Sequence, residues 1–298
     1  MSPVEQRIRD TFRQAGAAGW VHAAPVGGAP GREVAVGADE LVVMASVYKL
    51  PLLVALCGRF ADGTLDPRAT VRVHPASSSP EPTGVAAFLD PVTLSWRDLA
   101  ASMITVSDNA AADVILGEVG LDAVREVLAD CGLSATKVVG GQADVEAALV
   151  RDTGAASAAE AFALLADNDA ALTVSAYDPA FASATMAREM TRLLALVWSD
   201  AVVTPEQCAF MRRLLGLQVW PHRVRAGFPY AGVEVAGKTG TIGAIRNEVA
   251  VVAFPGETPI AVAVFTFAAR ADAALPAVDA AIGECARLAV TELRSGRW

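Results

Sequence analysis

Lysine is nearly missing from this chain. There are three, Lys49, Lys137 and Lys238, against twenty-one arginines. Histidine (His22, His74, His222) and asparagine (Asn109, Asn168, Asn247) are as scarce. Three histidines without ligand spacing do not make a zinc site. The four cysteines (Cys57, Cys131, Cys208, Cys285) are widely scattered, each in an apolar helical pattern. They read as buried free thiols, not as a metal cluster or a disulfide framework. No run approaches the ~18 apolar residues that span a bilayer; the longest candidate, Pro259–Ala269, has the length and β-branched content of a strand. The N-terminus, MSPVEQRIRDTFRQAG, is an amphipathic helix pattern without the apolar core of a secretory signal, so a cytoplasmic location is expected. A net charge of −9 disfavours nucleic acid as a partner.

What is present is a globular composition, 53% apolar and 19% charged over 298 residues. That is enough for one large domain or two modest ones. Residues 4–16 form a first helix, and GWVHAAPVG and REVAVGADELVVMAS read as strands. Pro51 is tolerated only in a first turn, so the next helix begins near Ser46. Ser95, Thr204 and either Ser183 or Thr185 are placed to cap further helices. Residues 138–182 give weak signals. Strand patterns return after 215, with a hairpin through Pro255–Gly256 and a final helix over roughly 274–294. The fold class expected is α/β plus all-α: an antiparallel sheet flanked by helices and built from both termini, with an inserted helical domain. The expected division is 1–44 with 216–298 for the sheet domain and 45–215 for the helical one, with the active site at their interface.

Three short motifs hold two of the three lysines and one of the three asparagines. In MASVYKLPLL, Ser46 and Lys49 lie at i and i+3 on one face of a helix start. A lysine desolvated by the surrounding apolar residues has its charged form disfavoured, and can accept the proton of a serine that needs a base. Otherwise such a lysine snorkels its ammonium to solvent. Ser107-Asp108-Asn109 follows 61 residues after Ser46, in a turn between two helices. Ser107 can relay a proton, Asn109 can hold a substrate amide, and Asp108 orders the turn; alternatively all three merely cap the next helix. Lys238-Thr239-Gly240 closes a strand. Glycines on both sides of Lys238 allow close approach of a ligand, Lys238 and Thr239 face an anionic group, and the N–H of Thr241 can join that of Ser46 as an oxyanion hole. The plainer alternative is a hairpin turn with a surface lysine.

The trio S-x-x-K, S-D-N and K-T-G, in this order and context, resembles class A β-lactamases and penicillin-binding proteins over nearly the whole chain. The resemblance implies Ser46 as the acylated nucleophile and Lys49 as its base. It implies Ser107 as proton relay, Asn109 as a substrate contact, and Lys238 and Thr239 as contacts to a substrate carboxylate. Arg246, on the next strand, either adds charge to that subsite or is a surface hairpin arginine. The E-x-x-L-N segment that supplies the deacylating glutamate in such enzymes is not intact. Glu146 and Leu149 fit, but Val150 replaces the asparagine. Glu146 is the candidate base, with Asp144 and Asp152 behind it. The expectation is therefore a β-lactamase-like serine hydrolase, a monomer acting on a small-molecule amide or ester without cofactor, metal or membrane. Slow release, acyl transfer in small-metabolite biosynthesis, and a non-catalytic binding protein of the same fold are the alternatives. Substrate choice depends on residues 77–88 and 138–182, whose conformations the sequence does not dictate.

Overall fold

A computed structural model describes residues 2–29, 31–75, 83–167 and 173–295. Its first helix, α1 (Pro3–Gln14), starts on a capping box between Ser2 and Glu5 and buries Val4, Ile8 and Phe12. Strand β1 (Ala17–Pro25) follows at once. The expected second strand is divided into β2 (Val34–Val36) and β3 (Val42–Val43). A 3-10 turn, Ala45–Tyr48, carries Ser46 and runs straight into α2 (Lys49–Ala61). Pro51 sits in the first turn of α2, where no intrahelical N–H is lost. The middle of the chain holds α3 (Trp96–Thr105), α4 (Asn109–Val119), α5 (Leu121–Asp130), α6 (Gln142–Thr153) and α7 (Ala158–Ala166). Then come α8 (Ala187–Trp198) and α9 (Pro205–Gly216). Ser95 and Thr204 cap α3 and α9 as the sequence predicts.

Two local expectations differ. The N-cap of α8 is Met186, without a side-chain bond, because Thr185 belongs to a short strand, β6 (Ala184–Thr185), that pairs with β3. The block between the sheet halves is not purely helical: β4 (Thr70–Val73) and β5 (Val92–Ser95) form a two-stranded ribbon. Runs this short are hidden by neighbouring helical periodicity.

The last third supplies β7 (Glu234–Ile242), β8 (Ile245–Ala253), β9 (Ile260–Ala268) and α10 (Pro276–Arg294). The antiparallel sheet has the order β2-β1-β9-β8-β7, so strands from both ends of the chain meet where β1 pairs with β9. Eight of the nine residues of β8 are buried, Arg246, Asn247 and Glu248 among them, and the stretch Val249–Ala253 is wholly apolar. One face packs on α1 and α10 through Ile8, Phe12, Val262 and Ile282. The other packs on α2, α8 and α9 through Leu53, Leu193 and Phe265. All four cysteines are buried and unpaired within these layers. No helix of the described residues is long and apolar enough to cross a membrane.

Edge strand β7 lies directly against the Ser46 turn. A Cβ built on Gly240 would come within 2.5 Å of the Met44 carbonyl oxygen and 3.1 Å of Val47. A Cβ on Gly237 would meet Val249 and Ala250. The glycines flanking Lys238 thus make room for the protein's own backbone and side chains, not for a ligand as the sequence suggested. We expect Gly240→Ala to cost about 1–3 kcal/mol, since no flexible side chain can give way; urea unfolding measures it. The opposite outcome is expected at Tyr48, whose buried hydroxyl has no hydrogen-bond partner among the described residues. Tyr48→Phe removes an unsatisfied polar atom at constant shape, so its Tm should equal or exceed that of the unaltered protein.

Candidate active site

A cleft of about 510 Å³ opens between β7, the 3-10 turn, the 107–109 turn and the 140–183 segment. Ser46, Ser107, Asn109, Thr239, Thr241 and Arg246 all line it. Two backbone outliers mark its floor: Ala45 at φ 46° and Ser107 at φ 60° occupy the left-handed region. Side chains with a Cβ pay roughly 1–3 kcal/mol to sit there, and the surrounding structure must hold them.

Those supports are visible. Asn247, on β8 and fully buried, donates from Nδ2 to the carbonyls of Val43 (2.9 Å) and Met44 (3.1 Å), the residues just before the strained Ala45. Its Oδ1 accepts from the N–H of Thr266. Asp108 holds the other turn. Its carboxylate, also fully buried, accepts from the N–H of Val85 (2.7 Å), Ser102 Oγ (2.6 Å) and the N–H of Ala111 (3.1 Å), the last of these capping α4. Asp108 therefore orders the turn, in keeping with the structural role read from the sequence.

Lys49 does not snorkel. It is 0% exposed, and Nζ donates to the Ser107 carbonyl (2.7 Å) and to Asn109 Oδ1 (2.6 Å), with Ser107 Oγ at 3.4 Å. Burial lowers its pKa to about 7, against the opposing pull of Asp108 and Asp113. A neutral amine has two hydrogens, and the two short bonds engage both. Its lone pair is then available to accept a proton. Lys238 is equally buried and donates to Ser107 Oγ (2.8 Å) and to the Thr239 carbonyl (2.8 Å). Burial, then the nearby Lys49 and Arg223, push its pKa well down. Ser107 Oγ thus lies between two amines that disfavour each other's charge, which suits proton relay. Neither lysine is a surface residue. Lys137, by contrast, ties the chain together, with Nζ donating to the Ala180 carbonyl.

The N–H of Thr239 points away from the sheet and donates to Gln218 Oε1 (2.7 Å). In an antiparallel strand alternate N–H groups leave by the same edge, so that of Thr241 projects from the open edge beside the Ser46 turn. The N–H of Ser46 lies in the first turn of its 3-10 segment, where no intrahelical partner exists.

Sequence reasoning missed Arg223. It is 3% exposed and lines the cleft. Its guanidinium donates to Asp279 (2.7 Å), to the carbonyls of Gly240 (3.0 Å) and Asn247 (2.8 Å), and to Thr241 Oγ1 (2.8 Å). One side chain therefore fixes β7, β8 and α10 and sets positive charge behind Thr241. Being one of twenty-one arginines, in an irregular stretch, it gave no signal. Arg246 is a correction to the surface alternative: it is 2% exposed, with hydrogen bonds to the carbonyls of Gly243, Ile245, Asp272 and Ala273.

Glu146 is not itself among the residues that line the cleft, but it is bonded to one that does. On α6 the residues that line it are Gln142 and Val145, one turn apart on one face. Glu146, one turn on from Gln142, is 8% exposed and accepts from Gln142 Nε2 (3.0 Å). Asp144 accepts from the N–H of Gly141 at the start of α6, and Asp152 from the N–H and Oγ of Ser175. These bonds are structural. Among the described residues the one carboxylate lining the cleft is Asp279, which Arg223 engages. Asn168 and residues 77–82 lie outside the described residues.

Known proteins share this fold. A protein of Streptomyces cacaoi, "Beta-lactamase regulatory protein BlaB", is 26% identical over 279 residues, covering 89% of each chain. A β-lactamase from Sphaerobacter thermophilus DSM 20745 superposes at a TM-score of 0.77 with 21% identity, covering 98% of this chain and 97% of that one. A mutant of the class A β-lactamase of the last common ancestor of Gram-negative bacteria reaches 0.80 with 23% identity, over 99% and 100%. PBP-A gives 0.77 with 18% identity, over 99% and 97%. The family model described as "Beta-lactamase enzyme family" matches residues 3–293. The chain belongs to the β-lactamase enzyme family and has the class A β-lactamase fold.

Proposed function

We propose that the protein is a serine acyl-enzyme former that cleaves a β-lactam or related amide or ester and releases the acyl group slowly. The observation that carries the reading is Lys49: an amine 0% exposed, with pKa lowered to about 7, immediately after the turn that presents Ser46. In this reading neutral Lys49 takes the Ser46 proton as Oγ attacks the carbonyl carbon. The N–H groups of Ser46 and Thr241 receive the oxyanion. The proton then passes through Ser107 Oγ to the departing nitrogen or oxygen as its bond to carbon breaks, leaving acyl-Ser46. Asn109 holds the acyl-side amide. Lys238, Thr239, Arg223 and Arg246 set the field for an anionic group on the leaving side.

The slow-release reading rests on the incomplete E-x-x-L-N segment, in which Val150 replaces the asparagine. A positioned general base contributes about 10²–10⁴ in rate, and the α6 residues that line the cleft, Gln142 and Val145, supply none. The name of the Streptomyces cacaoi relative, a β-lactamase regulatory protein, favours a second reading of the same chemistry. In it the acyl-enzyme is the output, with ligand sensing instead of turnover.

Three outcomes test this. With a fluorescent penicillin, intact mass should show one adduct per chain, lost in Ser46→Ala; no adduct with penicillin or a fluorophosphonate leaves the non-catalytic binding reading. With a chromogenic cephalosporin, stopped-flow should show a stoichiometric burst and a slow steady state, which Glu146→Gln changes by less than threefold. Multiple turnover as fast as acylation contradicts slow release. The acylation rate should climb about tenfold per pH unit below the lowered Lys49 pKa of about 7 and level off above it, because the deprotonated amine is the base. Lys49→Met should cut acylation by about 10²–10⁴ above that pH and remove the rise with pH below it.

A further inference from the structure

We infer that this cleft selects substrates with an apolar acyl group, an aryl or medium-length alkyl chain, which lies against a wall built largely by α6, α7 and residues 175–182. The inference rests on the acyl-enzyme reading above and names the substrate class of that site. The third hydrophobic cluster of the molecule is not closed. Val43, Val145, Phe162, Ala176, Ala182 and Ile242 belong to it or pack against it, and the same six residues line the cleft. Their side chains come from β3, α6, α7, the 3-10 turn Ser175–Tyr177, the approach to β6 and the end of β7. Ala45, next to Ser46 in the chain, belongs to the same surface, so the wall begins at the nucleophile.

The cleft is therefore two-ended. Toward Thr241 it has Arg223 and the N–H and hydroxyl groups of β7. Toward α6 and α7 it has hydrocarbon, with Gln142 the one polar side chain that α6 and α7 present among the described residues. A charged acyl group there would lose hydration without a partner. An apolar one would gain what closing an open hydrophobic surface always gives. Fixing the wall is the hairpin end of the sheet: Tyr177 Oη accepts from the N–H of Ala244 (3.0 Å), and its ring meets Phe267 edge-on at 5.4 Å. The wall is thus attached to the rigid sheet that carries Lys238 and Thr241.

The test uses the p-nitrophenyl esters of acetate, butyrate, hexanoate and octanoate and measures acylation under single-turnover conditions. The expected result is a rise of about fourfold per added methylene, equivalent to about 0.8 kcal/mol. Phe162→Ala and Val145→Thr should each flatten the slope of log rate against chain length. A loss of folded protein would instead scale all four esters alike. As a readout independent of the nucleophile, the four free carboxylates are titrated calorimetrically into Ser46→Ala, where Kd should fall by the same factor per methylene. Rates and affinities that are flat or that decline with chain length overturn the inference, as does an unchanged slope in both wall variants. Should no ester acylate Ser46, the acyl-enzyme reading fails, and the carboxylate series alone decides whether the apolar wall binds.

Discussion

One buried amine organises this molecule. Lys49 sits in the first turn of α2 with no exposure to water, and the groups that receive its hydrogens, the Ser107 carbonyl and Asn109 Oδ1, belong to a different part of the chain. An amine so placed is expensive to keep charged. Its position forces the 107–109 turn to pack onto the start of α2, and Asp108 and the strained φ of Ser107 follow from that demand. Lys238 approaches the same serine from the sheet. Helical block and sheet are thereby joined at a single oxygen, and the cleft is the space left around it.

The second constraint is the closeness of β7 to the Ser46 turn. Gly240 has no room for a methyl group, and Asn247 on the neighbouring strand holds the two carbonyls before Ala45. Arg223 locks those strands together from behind. The strain at Ala45 is thus sustained by a rigid sheet edge, which is how unfavourable backbone geometry persists at reactive positions. The same rigidity sets the direction of the Thr241 N–H.

Much of this was legible in the sequence because the chemistry needs rare residues. A chain with three lysines that places two of them in apolar surroundings marks both. Asparagine scarcity pointed to Asn109, and also to Asn247, whose role emerges only from the sheet register. The caps of α3 and α9 and the single-turn placement of Pro51 followed from local rules. What stayed hidden were long-range pairings: the β3–β6 pair, the β4–β5 ribbon, and the reach of Arg223 to β7, β8 and α10. Glu146 shows the limit of motif matching. Glutamate and leucine at the right spacing do not by themselves make a water-activating base; the α6 side chains that line the cleft are those of Gln142 and Val145, with Glu146 bonded behind Gln142.

The small number of lysines makes the central claim directly measurable. With lysine labelled at the ε-carbon, the spectrum holds three signals, and Lys49→Arg identifies one of them. Titrating the free protein should move that signal with a midpoint near 7, the value to which burial lowers Lys49. A midpoint above 10 would mean an amine charged throughout the neutral range, unable to take the Ser46 proton.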